Sequence, residues 1–290
     1  MSNSTRSICH VAATLALSLL CASQCQAGDR VLAASGVSQV EGAAGGGLTP
    51  WAMIGGLGSR DQVGASVFAT KVHTKGDYNL EAQGAAVGLF DTVELSAAQW
   101  RFGLSDTVPG YNLKMNVLGV KWRVFGDAVF DADTPWPQIS VGAQYKHNRD
   151  MFVPSLLGAK HQSDVEPYVA ATKLWFGAAG GWNLLTNLTL RATRANQMGL
   201  LGFGGDRGDS RRIEPEASIA VLPRDNLAIG IEYRAKPSKL SAAPETRASD
   251  VFIAWWPMRH LSVTAAWLDL GQIANKTSQR SSYVSVQAQF

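Results

Sequence analysis

The feature of this sequence that most restricts its fold is an alternation of apolar and polar residues with period two, held over about ten residues and repeated along the chain. In residues 226–236, Leu227, Ile229, Ile231, Tyr233 and Ala235 alternate with Ala228, Gly230, Glu232 and Arg234, so each set occupies one face of a strand. Residues 212–221 repeat the pattern with Ile213, Ala217, Ile219 and Val221 against Glu214, Glu216 and Ser218. Residues 138–147 do so with Ile139, Val141, Ala143 and Tyr145 against Ser140, Gln144 and Lys146, and 260–269 with Leu261, Val263, Ala265 and Trp267. Such segments exceed the usual strand of a soluble sandwich and match the roughly nine to eleven residues a tilted strand needs to cross a bilayer. No stretch has the apolar continuity of a spanning helix: 42–59 holds seven glycines and Pro50, and 174–190 is broken by Gly180, Gly181, Asn183 and Asn187.

The N-terminus supplies an address. Residues 1–27 carry Arg6 as their only charge, then the apolar run 11–20, then small residues at Cys25 and Ala27, which predicts a secretory signal peptide cleaved after Ala27. A lipoprotein reading fails because Leu20 precedes Cys21 and Gln24 precedes Cys25. All three cysteines (Cys9, Cys21, Cys25) leave with that segment, which excludes a disulfide scaffold, a thiolate–zinc protein and a cysteine enzyme. Removing Arg6 from 26 Lys and Arg leaves 25 against 23 Asp and Glu, a balance that points to no polyanionic partner and excludes nucleic-acid binding.

Connections follow a second rhythm. Residues 58–61, 89–91, 222–225 and 256–259 are tight, whereas 148–163, 197–210, 237–247 and 271–279 are long. Outer-membrane barrels join their strands by short periplasmic turns and longer outer loops, and counting back from a periplasmic C-terminus puts every one of these long connections outside. Residues 126–137 must then be periplasmic despite their length. Thirteen strands fit between Leu48 and Phe290, and an even number is needed. The expectation is an all-β, single up-and-down antiparallel barrel over 28–290 with fourteen strands, a segment at 37–44 supplying the first; twelve strands is the alternative if 48–57 is not a strand.

The last strand, with Val284, Val286, Ala288 and Phe290 alternating with Tyr283, Ser285, Gln287 and Gln289, ends on an aromatic. This resembles the C-terminal signal of bacterial outer-membrane β-barrels. By that resemblance Phe290 is where the barrel assembly machinery engages the chain. The run Glu41-Gly-Ala-Ala-Gly-Gly-Gly-Leu-Thr-Pro-Trp51, followed by Gly-rich hairpins through His147, resembles the proteobacterial domain-of-unknown-function 3034 family. That resemblance covers nearly all of 28–290 and implies an outer-membrane location with lipid around it, but no activity or catalytic residue.

If the apolar sets face lipid, their alternates face the lumen: Glu81, Glu94, Lys121, Arg123, Lys146, Lys173, Arg191, Glu214, Glu216, Glu232, Arg234 and Asp250. In chain order the signs cluster, acidic near 78–103, basic over 113–196 and mostly acidic over 211–256, so a basic wall is expected to face an acidic one across a pore. The same charges also suit paired ladders filling a narrow barrel. The expected function is therefore a porin-like channel for small hydrophilic solutes, with a non-conducting structural or scaffold barrel as the alternative. A hydrolase ranks behind both, since Gly-x-Ser-x-Gly is absent and His73, His147, His161 and His260 show no pairing by spacing with a serine. No two histidines lie at metal-ligand spacing, so no metal, cofactor or catalytic residue is expected. Arg207-Gly-Asp209 reads as a solvated turn, and the tryptophans Trp51, Trp100, Trp122, Trp175, Trp182, Trp255, Trp256 and Trp267 as interfacial girdles.

Overall fold

The alternation becomes, strand by strand, the wall of a closed antiparallel barrel. The computed structural model describes residues 33, 35–131, 133–273 and 276–290; the expected signal peptide lies outside them. A two-residue pairing of β1 (Val37–Ser38) with β2 (Ala44–Gly45) comes first. Twelve wall strands follow: β3 (Val63–Thr74), β4 (Asn79–Leu89), β5 (Val93–Gly103), β6 (Asn112–Phe125), β7 (Gln138–Asn148), β8 (Ser163–Ala179), β9 (Trp182–Thr193), β10 (Arg212–Arg224), β11 (Leu227–Ala235), β12 (Arg247–Met258), β13 (Leu261–Asp269) and β14 (Arg280–Gln289). Each pairs with the next, and β14 closes the ring on β3 with Ser285 opposite Thr70.

The count is twelve, not fourteen. Residues 37–44 contribute no wall strand, and 48–57 is not a strand at all; every residue from Ser35 to Gly58 is buried inside the ring. The reason lies in composition. This glycine-rich segment has no apolar face to offer lipid, and the lumen is the one place where its backbone groups find partners.

Outside, the apolar sets stand bare as expected for a lipid-facing surface, with Leu118, Ile213, Ile231, Val251 and Trp267 all more than half exposed. The tight connections 58–61, 89–91, 222–225 and 256–259 and both ends of the 35–57 segment gather at one end of the barrel, the terminal end, while the four-residue turn from β3 to β4 lies at the other. The long connections lie at the opposite, loop end. The twelve-residue 126–137 connection joins β6 to β7 at the terminal end, as parity required. Phe90 and Asp91 take left-handed φ values of 55° and 48°, which turn β4 tightly into β5.

One strand inverts the sequence expectation. Glu81 points outward, 3.4 Å from Lys71, and both side chains are exposed. Ala82, Ala86 and Gly88 point inward instead. Both faces of β4 are small or polar, so apolarity could not choose between them; room for the enclosed segment did. A Cβ on Gly88 would lie 2.2 Å from the Gly55 carbonyl oxygen.

Gly88→Val is therefore expected to push the enclosed segment off β4 at an overpacking cost of about 1–3 kcal/mol. The barrel's heat-modifiable migration in SDS gels should shift to lower temperature, whereas Val87→Ala on the outward face should leave it in place.

Candidate functional site: a charged latch in the lumen

The enclosed segment enters and leaves by the same mouth. Near its start, the Ser35 hydroxyl donates to Gln289 Oε1 (2.9 Å) and the Ser38 N–H to Gln287 Oε1 (2.7 Å). At its end, the Leu57 N–H donates to the carbonyl oxygen of Phe290 (2.8 Å). Between these points the chain runs up the lumen and back.

Its innermost charge is Glu41, fully buried. Three cations from three strands meet this carboxylate: Lys146 Nζ of β7 at 2.5 Å, Arg234 of β11 at 2.8 Å and Arg191 of β9 at 3.5 Å. Two wall carboxylates complete the set. Glu166 accepts from Lys146 at 2.6 Å, and Glu216 lies 2.6 Å from Arg191 and 3.4 Å from Arg234. Three carboxylates against three cations make a neutral cluster, the arrangement that permits charge at this depth.

Lower in the lumen, Glu94 draws the two limbs of the segment together. It accepts the N–H groups of Ala44 (3.2 Å) and Gly55 (2.8 Å) while paired with Lys121 at 3.1 Å. Lys121 also donates to the carbonyl oxygens of Ala44 (3.0 Å) and Met53 (2.6 Å). Opposite, Glu232 accepts from the Leu48 N–H (2.8 Å) and the Thr49 hydroxyl (2.7 Å). A Cβ on Gly46 would lie 2.0 Å from Glu232 Oε1, so this approach requires glycine. Trp51 Nε1 donates to Ser218 Oγ, and Gln138 and Ser140 both donate to the Ala52 carbonyl oxygen, so the segment's backbone is paired to the wall side chains rather than to water.

Of the residues assigned to the lumen, Glu94, Lys121, Lys146, Arg191, Glu216, Glu232, Arg234 and Asp250 are there and buried. Arg123 sits at the terminal end, 2.7 Å from Asp91 and 3.2 Å from Asp127. Glu214 lies half-buried near the loop end, 3.8 Å from Arg212. Two assignments fail. Glu81 is on the outer face, as above. Lys173 falls out of step with the inward Thr172 and donates to the Asp131 carbonyl oxygen (2.6 Å) in the 126–137 connection. Leu174, expected on lipid, instead packs inward in one cluster with Trp51 and Met53. The facing basic and acidic walls are absent too, because opposite charges lie in register on adjacent strands, as Glu94 does with Lys121 and Glu216 with Arg234. The girdle holds for Trp122, Trp182, Trp255 and Trp267, which are exposed, but Trp51, Trp100 and Trp256 are buried inside.

Sequence reasoning missed Glu41 and Glu166. A signal for the first existed: Glu41 is the only charge between Arg30 and Arg60, in a run otherwise fit for burial. At the loop end, Leu200, Leu201, Leu240 and Ile273 close over Val40 and Leu48 of the segment in one apolar cluster. Glu245 fastens two of these loops, accepting from the Gln197 N–H (2.7 Å) with Lys236 at 3.5 Å. Burial pushes its carboxyl up to about 7 against the pull of Lys236 and Arg234, so the stability its proton contributes is present in acid and lost as pH rises through about 7. Among the histidines, His161 is 2.9 Å from Asp209, which also holds Arg194, and His260 stacks on Phe290 at 6.0 Å. Asp209 of the Arg-Gly-Asp run is thus engaged by Arg194 of its own loop and by His161 of the neighbouring one. Among the described residues no group of three His, Cys, Asp or Glu is placed to hold a metal ion.

Arg123→Glu together with Lys146→Glu is expected to set new carboxylates against Asp91 and Asp127 at one level and Glu41 and Glu166 at another. Leaving buried charge uncompensated costs about 3–5 kcal/mol per broken pair, so the yield of folded, heat-modifiable barrel should fall sharply. A double variant that assembles at the parental level would show that these pairs do not hold the lumen together.

Among solved structures, the KdgM porin has 10% identity and a TM-score of 0.49, covering 78% of this chain and 99% of that one. Omp33 from Acinetobacter baumannii has 7% identity and a TM-score of 0.47, covering 80% and 100%. LpxR from Salmonella typhimurium has 12% identity and a TM-score of 0.44, covering 78% and 99%. At these values the likenesses carry nothing about what is bound or passed. No curated protein matches the chain. The model of the family described as "Protein of unknown function (DUF3034)" matches residues 34–287, taking in both the enclosed segment and the wall. This chain, a closed twelve-stranded antiparallel β-barrel, belongs to that family.

Proposed function

We propose that the protein is a gated barrel: closed at rest by its own residues 35–57, and passing small hydrophilic solutes only when that segment is drawn out. The observation that carries this reading is the segment's path. Both ends lie at the terminal mouth, at Gln289 and at Phe290, so the segment can leave without threading through the ring. A second observation agrees: once vacated, the wall would present Glu94, Lys121, Lys146, Arg191, Glu232 and Arg234, a charged lining suited to water and polar solutes. The scaffold reading draws support from the apolar seal at the loop end, which a solute would also have to pass. In this proposal the long loops face outward and the segment opens toward the periplasm.

Planar-bilayer conductance tests it. The parent protein should be near silent, and Glu41→Gln, which loosens the grip of Lys146, Arg191 and Arg234, should give stepwise openings. Cysteines replacing Ser38 and Gln287, bridged by a short bis-maleimide in the Glu41→Gln background, should restore silence. Openings of equal frequency in parent and tethered protein would sink the gate, and silence of folded Glu41→Gln in every preparation would favour the scaffold.

The C-terminus is proposed to engage the barrel assembly machinery. In the folded barrel the Phe290 N–H donates to the Ala65 carbonyl oxygen (2.7 Å) at the seam between β14 and β3. Phe290→Ala is expected to lower assembled protein several-fold in cells while leaving refolding in detergent nearly unchanged. Loss of both together would mean that the residue acts in the fold alone.

A further inference from the structure

The outer face of the barrel is not uniform. On β8 to β11 the outward residues stay apolar into the loop-end half, with Val165, Leu190, Ile213 and Tyr233 exposed. On β3 to β6 the same half carries Lys71, Arg101 and Lys114, with Arg149 just beyond β7, all exposed. Pairing brings them side by side: Lys71 is opposite Glu81, Glu81 opposite Arg101, and Arg101 opposite Lys114. The Arg149 N–H donates to the Lys114 carbonyl oxygen (2.7 Å). Glu81 is the one carboxylate lining this groove. Neighbouring Asp150 accepts from the Phe152 N–H (3.0 Å).

The surface beneath these charges is concave. A groove of about 670 Å³ runs among the four cations, and a second of about 310 Å³ adjoins it, sharing Gln99 and Asn116. Its lining is first polar, with Gln83, Gln99 and Asn116 in a row beneath the cations, and then small and apolar, from Ala69 beside Val284 and Val286 to Ala97 beside Leu118. Cations above, amides next and small apolar residues below match an amphiphile: a doubly charged anionic head, a polar linkage and chains lying downward along the wall.

We propose that this face binds one doubly phosphorylated lipid of the surrounding membrane, its phosphates among Lys71, Arg101, Lys114 and Arg149 and an acyl chain in the groove. Charge complementarity favours this occupant over a second copy of the chain, whose identical face would bring four cations against four. The binding rests on the outward face alone and is independent of the gate. It takes from that proposal only the orientation of the loop end.

The test uses purified full-length barrel in phosphatidylethanolamine nanodiscs doped with bisphosphorylated lipid A or with the same lipid stripped of its phosphates. Retained lipid is then measured by mass spectrometry after mild detergent extraction. The phosphorylated form should be enriched, and Lys71→Gln with Arg101→Gln and Lys114→Gln should lower that enrichment on the order of tenfold or more. Glu81→Gln should raise it, and Arg247→Gln with Arg280→Gln, elsewhere on the rim, should leave it unchanged. All the substituted positions are exposed, and heat-modifiability of each variant confirms its fold. Equal retention of the stripped lipid, no loss in the triple variant, or full displacement by inorganic phosphate would each overturn the proposal.

Discussion

A carboxylate at the centre of a membrane barrel persists only if cations surround it, and the rest of this structure follows from how Glu41 meets that demand. Desolvating such a group costs several kcal/mol, which only close, hydrogen-bonded counter-charges repay. Lys146, Arg191 and Arg234 come from three different strands, so their meeting point defines where the enclosed chain must turn. From that point the two limbs descend to Glu94 and Lys121, which hold both at once. Small residues on β4 and the glycines at 46 and 55 are consequences of this path: a Cβ would meet Glu232 at Gly46, Glu94 at Gly55 and the Gly55 carbonyl oxygen at Gly88.

The lumen is thus built as a protein core rather than as a channel lining. Its polar groups are paired with the enclosed backbone at one level and with one another at the next. Apolar residues fill the remainder in two main clusters, one toward each mouth. The loop-end cluster joins Val40 and Leu48 to loop residues such as Leu201 and Leu240, while the terminal-end cluster joins Trp51 and Met53 to Leu174 and Leu185. Closure therefore has two joined parts, the segment itself and the loops that pack on it. A segment that leaves takes Val40 and Leu48 out of that cluster and removes what the loops close on.

The outer surface shows the complementary economy. Where lipid covers the wall, the outward residues are branched or aromatic, and where the wall rises toward the loops on β3 to β6 they become polar and basic. On that side the inward set includes Phe68, Val72, Phe102 and Leu113, so the usual assignment of apolar to lipid and polar to lumen is reversed near the loop end. The alternation survives, but its sense changes with height. Glu81 stands in that reversed zone, on the face that β4 leaves outward when its small residues turn toward the enclosed segment.

Strand periodicity determined the barrel and the faces of β7, β10, β11, β13 and β14, because a period of two is a local property that lipid on one side makes unambiguous, and the alternation of short and long connections gave the antiparallel order and the ends at which those connections lie. The periodicity also singled out eight of the buried lumen charges. Only the tertiary structure decided the strand number, the role of residues 35–57, and the sides taken by Glu81 and Lys173. In each of these cases the deciding contact is made with chain far away in sequence: Glu41 with Arg234, Gly88 with Gly55, Leu174 with the cluster around Trp51. A glycine-rich segment with a single charge, Glu41, carries no sustained alternation to read, and what it becomes depends on the cavity that the other strands close around it.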